Sequence, residues 1–334
     1  MGPSPAVAEI RRAVRVALVG GTGPVLVACS GGADSVALAA ATIFEAEQAG
    51  VSAGLVTVDH ALQAGSQDQA RRVAGLGYEL GFDPVQVIRV DVGSGGGPEA
   101  AAREARYAAL DATALALDAR LLLGHTLDDQ AETVLLGLGR GSGPRSLAGM
   151  RAVDGRRLRP LLAVRRDITV AACAALGLPV WDDPHNRDPR FQRVRLRREV
   201  LPLLEDVLQG GVGAALARTA DLLRHDLDAL DVWAERALRT ATTAPVQHLP
   251  GDAHQSTLEV MALAALPTAV RTRVLRMWIA NRVTTPLSAE RTAAVDELVT
   301  GWRGQGRIDL PGGVGVARTS GRLELVTHPR DARA

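Results

Sequence analysis

The residues with the clearest chemical potential are Ser30, Gly31, Gly32, Ala33, Asp34 and Ser35, which close the apolar run Val25 to Cys29. A buried strand that enters a glycine turn and then a helix presents backbone N–H groups and the positive end of a helix dipole to an anion. Two adjacent glycines let the main chain approach a phosphate with no Cβ in the way. The hydroxyls of Ser30 and Ser35 add donors, and Asp34 is placed to hold a magnesium ion bridging a pyrophosphate. A serine or aspartate after a tight turn also caps helices. The whole pattern S-G-G-A-D-S behind an apolar strand nevertheless points to a nucleotide site.

A second group lies in Gly124 to Glu132, GHTLDDQAE. His125 and Asp129 are four residues apart, as are Asp128 and Glu132, so an imidazole and three acids project from the start of one helix, suited to magnesium or to proton transfer. Thr126 and Asp129 also form a cap pair across the first turn. Asp59 and His60 end another apolar run, Gly54 to Val58; an aspartate there by itself reads as a cap of the next turn, and beside a nucleotide site contact with a ribose or adenine is the further expectation. In the helix from Pro98, Glu99 and Arg103 read as a surface ion pair. Arg103 or Arg106, on nearly the same face, could meet charge on a transferring phosphate.

All 38 basic residues are arginine, which excludes any mechanism needing the chain's own lysine, a Walker lysine or a Schiff base among them. Phosphate charge must be met by arginine, backbone N–H groups or metal. The net charge of +1 conceals an uneven distribution: Arg140 to Arg198 holds 14 Arg against five Asp, a local +9, and the rest carries −8. Such a segment suits a phosphate backbone. Within it Arg190, Arg193 and Arg197 read as a helical stripe for RNA phosphates, with Arg140 and Arg145 in the preceding glycine-rich connection. Cys29 and Cys173 are too few for a disulfide framework or a cysteine-only metal site and read as small core residues. Neither a membrane span nor a secretion signal is evident, so a soluble, cytoplasmic protein is expected.

These residues must be positioned by alternating elements. Strands are expected at Val25 to Cys29, Gly54 to Val58, Pro84 to Val90 and Arg120 to Leu123, with helices between, which implies a parallel sheet covered on both faces. Ligands bind beyond the carboxyl ends of such strands, where Ser30, Asp59 and His125 all fall. From about Gly210 the texture becomes helical, with helices expected over Val212 to Thr240, Thr257 to Arg282 and Ala289 to Thr300, and a β-hairpin at the end. The expected division is 1–208 and 209–334.

The order of these motifs resembles the N-type ATP pyrophosphatase (PP-loop) superfamily, and within it the tRNA(Ile)-lysidine synthetases. The resemblance is carried by SGGADS at Ser30, VDHALQ at Val58, EAAAREARY at Glu99, LLLGHTLDDQAET at Leu121, GRGSGPRSLAGM at Gly139, RPLL at Arg159 and WDDPHNRDPRFQRVRLR at Trp181. The pattern departs at Gln63, where Arg is common, and at His185, where a small polar residue is usual. It implies a Rossmann-like α/β domain, adenine nucleotide alpha hydrolase-like, followed by a smaller, mainly helical tRNA-binding domain. It implies an ATP-dependent ligase that converts the wobble cytidine of tRNA(Ile) with a CAU anticodon to lysidine, using ATP, Mg2+ and free lysine, and a homodimer is allowed for. On this reading Ser30 to Ser35, Asp59 and His60 bind ATP; Asp34, Asp128, Asp129 and Glu132 surround the metal; and Asp34, Arg103, Arg106, His125, Asp129 and Arg195 are catalytic. Arg140, Arg145, Arg190, Arg193 and Arg197 would contact tRNA. The related thiocytidine synthetases need cysteines that this chain lacks.

Overall fold

The computed structural model describes residues 2–21, 23–59, 65–90, 98–141, 143–243, 257–283 and 285–327. His60, Gln63 and the side chain of Glu99 lie outside them. The chain divides into two compact units, 1–223 and 224–334. The division falls within one long helix, beyond the boundary expected at 208.

The first unit opens with α1 (Pro5–Leu18), whose Ser4 cap accepts from the Val7 N–H and whose buried stripe is Val7, Ile10, Val14 and Leu18. There follow β1 (Val25–Ala28), α2 (Ala33–Ala49), β2 (Ala53–Asp59), α3 (Ser66–Leu80), β3 (Val85–Arg89), α4 (Pro98–Ala116), β4 (Arg120–Leu123) and α5 (Leu127–Gly139). A one-turn α6 (Pro144–Leu147), β5 (Val153–Asp154), β6 (Arg157–Leu158) and α7 (Arg166–Ala175) complete the layer. The strand order is β3-β2-β1-β4-β6-β5, parallel except where β5 runs against β6.

The central strands β1, β2 and β4 are mainly apolar and buried because helices cover both faces, whereas the outer strands β3 and β5 are partly or wholly exposed. One face packs Val25, Val27, Leu55 and Leu122 against α1, α2, α3 and α7. The other packs Leu26, Val56, Leu121 and Leu123 against Leu110 and Ala114 of α4. β2 lies on one side of β1 and β4 on the other, so the order reverses between β1 and β4 and opens a crevice at their carboxyl ends. The loop after β1 and the loop after β4 face each other there.

The arginine-rich segment forms α8 (Gln192–Arg195), a π turn over Leu196–Val200 and α9 (Leu201–Val207), followed by the long α10 (Val212–Ala241). Glu205 caps α10 by accepting from the N–H groups of Val212 and Gly213 at 3.1 and 2.9 Å.

The second unit holds the end of α10, β7 (Thr242–Thr243), β8 (Thr257–Glu259), α11 (Val260–Ala264), α12 (Thr268–Ala280), α13 (Ala289–Thr300), β9 (Ile308–Asp309), β10 (Val314–Thr319) and β11 (Arg322–Thr327). The helix expected over Thr257 to Arg282 is corrected: it starts as a strand paired with β11 and then breaks before Pro267, which cannot sit in a helix interior. The expected terminal hairpin, β10 and β11, belongs to a five-stranded antiparallel sheet, β7-β8-β11-β10-β9. Trp278, Leu275, Ile279, Leu263, Val316 and Leu323 are its core. No single helix among the described residues is long and apolar enough to cross a membrane.

Candidate active site

The loop after β1 is braced from within. The Ser30 N–H donates to Ser35 Oγ at 3.1 Å, the Ser35 hydroxyl donates to the Gly32 carbonyl at 2.9 Å, and the hydroxyl of the exposed Ser30 lies 3.3 Å from Ser35 Oγ, so Ser35 shapes the loop. Gly31 sits at φ +89°, and a Cβ there would lie 2.4 Å from Gln69 Nε2. Its carbonyl accepts from the Trp181 N–H, which ties the loop to the segment ahead of α8. Gly32 is the N-cap of α2 with no side-chain cap bond, which leaves first-turn N–H groups for an anion. Opposite, Gly124 at the end of β4 presses against the start of α2, where a Cβ would come within 3.1 Å of the Asp34 and Ser35 main chain. Cys29 and Cys173 are buried free thiols packed on this turn, contacting the Ser35 hydroxyl and the Ala33 carbonyl.

Asp34 and the acids of α5 meet at one arginine. Arg166 Nε donates to Asp34 Oδ2 at 3.0 Å, Nη2 to Asp129 Oδ1 at 2.6 Å, and Nη1 lies 3.7 Å from Glu132 Oε1. Its backbone N–H donates to Asp128 Oδ2 at 2.9 Å. Asp34 also accepts from the Thr169 hydroxyl one turn along α7. From the other side, Arg197 Nε donates to Glu132 Oε1 at 2.7 Å and its Nη2 lies 3.5 Å from Asp129, while Arg193 Nη1 is 3.6 Å from Glu132 Oε2. Glu132 is fully buried. Asp129 meanwhile completes the capping box of α5, its carboxylate accepting from the Thr126 N–H, so cap and charge cluster are one residue's work.

These contacts set the protonation states. Burial pushes the Asp34 carboxyl up more than Arg166 and Thr169 pull it down. For Asp129, burial is the largest single influence, but Arg166, the Thr126 N–H, His125 and Arg197 together hold it below the ordinary carboxylate range. Burial lowers Arg166, and Asp129 and Asp34 more than reverse this, so its guanidinium is firmly charged.

A third cluster surrounds Tyr107 on α4. The guanidinium carbons of Arg103, Arg106 and Arg157 lie 4.9, 5.7 and 4.8 Å from its ring centroid. Its hydroxyl lies 3.3 Å from His125 Nε2. Burial first, and then Arg159, Arg103 and Arg106, pull the His125 imidazole down to about 4, so it is neutral near pH 7, and its buried Nδ1 has no hydrogen-bond partner among the described residues. Arg106 is lowered by burial and by Arg103 and Arg193. An anion between these arginines would relieve their mutual repulsion.

The structure thus brings together Asp34, Arg103, Arg106, His125, Asp129, Glu132, Arg193 and Arg197 at the crevice. Asp128 turns to the Arg166 main chain, and Asp59 is buried at the end of β2. Arg195 is exposed and paired with Glu199, away from the cluster. Arg190 precedes α8 and is bound to Asp188, so the expected helical stripe reduces to Arg193 and Arg197. Arg140 and Arg145 are exposed. Arg166 and Thr169 were missed by sequence reasoning. A signal existed: Arg165 and Arg166 open α7, where the helix dipole disfavours cations, so these residues required acidic partners from elsewhere.

A glycine turn after β1, an uncapped helix N-terminus and an acid–arginine cluster at the β1/β4 reversal define a nucleotide-binding PP-loop enzyme of the pyrophosphatase type. The family model described as "PP-loop domain" matches residues 9–204, and that of the "TilS substrate binding domain" matches 258–324. The tRNA(Ile)-lysidine synthase of Thermobifida fusca is 52% identical over 96% of this chain and 98% of its own. That of Salinispora tropica is 54% identical over 97% of each. Among solved structures, the U34-tRNA thiolase NcsA of Methanococcus maripaludis, with its 4Fe-4S cluster, superposes with a TM-score of 0.56 at 19% identity, covering 66% of this chain and 80% of that one, a likeness of fold alone. The chain belongs to the tRNA(Ile)-lysidine synthase family.

Proposed function

We propose that this chain uses ATP to join free lysine to C2 of the wobble cytidine of tRNA(Ile) bearing a CAU anticodon. Membership of the family supports the overall reaction; the observation that carries the residue roles is that the start of α2 and the acids of α5 converge on one crevice. Cytosine O2 is a poor leaving group until it is adenylated. It attacks the α-phosphate, the bond to the β-phosphate breaks, and pyrophosphate leaves into the loop of Ser30, Gly31, Gly32, Ala33, Asp34 and Ser35. Arg103 and Arg106 face the charge that develops on the α-phosphate, where fixed guanidinium groups act without reorganisation. The ε-amine of lysine then attacks C2, and the C2–O2 bond breaks to release AMP, which keeps the cytosine oxygen.

Asp129 and Glu132 receive the incoming amine, and His125, neutral near pH 7, is suited to accept a hydrogen bond from it and orient it rather than to hold its proton. Among the described residues no cluster of three or more His, Cys, Asp or Glu could hold a metal alone. Magnesium normally takes one or two carboxylates with phosphate oxygens and water, and Asp34, in the first turn of α2 at the phosphate loop, fits that requirement. The ion would neutralise pyrophosphate charge. Arg140, Arg145 and Arg190, exposed on the first unit, and the second unit contact the tRNA.

The deciding experiment is incorporation of labelled lysine into an unmodified tRNA(Ile) transcript with a CAU anticodon, with and without ATP, against a transcript with uridine at the wobble position. ATP-dependent labelling confined to the cytidine transcript is expected. AMP formation without labelling would overturn lysine as the nucleophile.

A further inference from the structure

We propose that Arg166 is a positioning residue that makes lysine binding conditional on nucleotide, by occupying the carboxylates of the site until an anionic nucleotide draws it away. The inference rests on the function proposed above. Three guanidinium groups, Arg166, Arg193 and Arg197, interlock with three carboxylates, Asp34, Asp129 and Glu132, through contacts of 2.6 to 3.7 Å. The cluster is therefore charge-balanced without any ligand. A lysine ammonium entering it alone must displace a guanidinium from a carboxylate and leave that arginine uncompensated in a partly buried place, which is costly.

Arg166 is the residue able to relieve this. It alone spans the cluster's nucleotide side, Asp34 on α2, and its amine side, Asp129 and Glu132 on α5. Its planar fork can exchange carboxylates for phosphate oxygens with the same geometry. The loop that would hold those phosphates begins at the residues next to Asp34. When the phosphates arrive, Arg166 turns to them, Asp129 and Glu132 lose one guanidinium, and the vacancy is filled by the ammonium of lysine. The position of Arg166 at the first turn of α7 favours the move, since the dipole there repels a cation unless an anion faces it. Nucleotide binds first and lysine second.

The test is calorimetric titration of L-lysine into the full chain, without tRNA, in the absence and presence of Mg2+ and α,β-methylene ATP, which cannot be cleaved at the α–β position. In the wild type, lysine affinity is expected to rise about tenfold or more with the nucleotide, within the ordinary range of coupling between two ligands. In Arg166→Gln, lysine binds without nucleotide and the dependence falls to about twofold or less. Arg166→Lys, whose single ammonium cannot span both carboxylates, is the second variant should the glutamine chain fail to fold, and the same loss is expected. Equal lysine affinity with and without nucleotide in the wild type, or wild-type dependence retained in a folded Arg166 variant, overturns the proposal. Labelling of tRNA is measured on the same preparation. Labelling without nucleotide-dependent lysine binding overturns the role of Arg166 alone, whereas absence of labelling overturns the lysine reaction and this role with it.

Discussion

Asp34 and His125 illustrate how one crevice gives two ionisable residues opposite tasks. Asp34 is held between a guanidinium and a hydroxyl at the mouth of the phosphate loop. Asp34→Asn keeps the shape and removes the charge, and is expected to lower tRNA-dependent AMP formation by about a hundredfold or more, with the folded state retained in a thermal melt. His125 is neutral because burial, followed by three neighbouring arginines, pulls it from 6.5 to about 4. The unfolded chain then binds a proton at higher pH than the folded chain does. Stability is therefore full above pH 6.5 and is lost as pH falls toward 4, by an amount on the order of 3 kcal/mol. Urea midpoints for the wild type and His125→Gln across this window check it, and the variant's slope is expected to be flatter. Sequence spacing was enough to single out both residues, because each lies within a few positions of a strand end.

At the scale of elements, the site depends on how closely β4 approaches α2. Gly124 permits that approach. Gly124→Ala is expected to cost about 1–3 kcal/mol through the displaced start of α2, and to raise the KM for ATP more than that for lysine. Denaturant unfolding and initial-rate kinetics separate the two effects. The turn between α8 and α9 makes the complementary point. Counting at ordinary helical spacing groups Arg190, Arg193 and Arg197, but the helix starts after Arg190 and continues through a π turn, leaving Arg193 and Arg197 on the crevice and Arg195 against Glu199 in solvent. Local sequence does not encode where such a turn begins. The same limit explains β8, a strand because β7 and β11 are available to pair with it on either side.

For the whole molecule, the uneven charge is the relevant quantity. On the proposed function, the +9 segment between Arg140 and Arg198 is expected to give tRNA binding that weakens steeply with salt. Part of that charge is spent internally, since Arg166, Arg193 and Arg197 neutralise the buried acids. Arg140 is exposed and separate from that cluster. Arg140→Ala is expected to lower the slope of log affinity against log salt by about one and to leave the rate at saturating tRNA unchanged; filter binding over a KCl series measures it. An equivalent change at Arg193 or Arg197 is expected to lower the rate itself.

By itself the sequence determined the phosphate loop, the alternation of strands and helices, the helix carrying His125, Asp129 and Glu132, and the excess of arginine in the middle of the chain. All of these are local: strand, turn and cap chemistry act within a few residues. Only the tertiary structure decided which arginines face the acids. Arg166 reaches Asp34 across 132 positions and Asp129 across 37, and Arg197 reaches Glu132 across 65. Arginine carries the same charge at every position, so its partner is set by which elements the sheet order brings to the same crevice, and that order is a property of the packed fold.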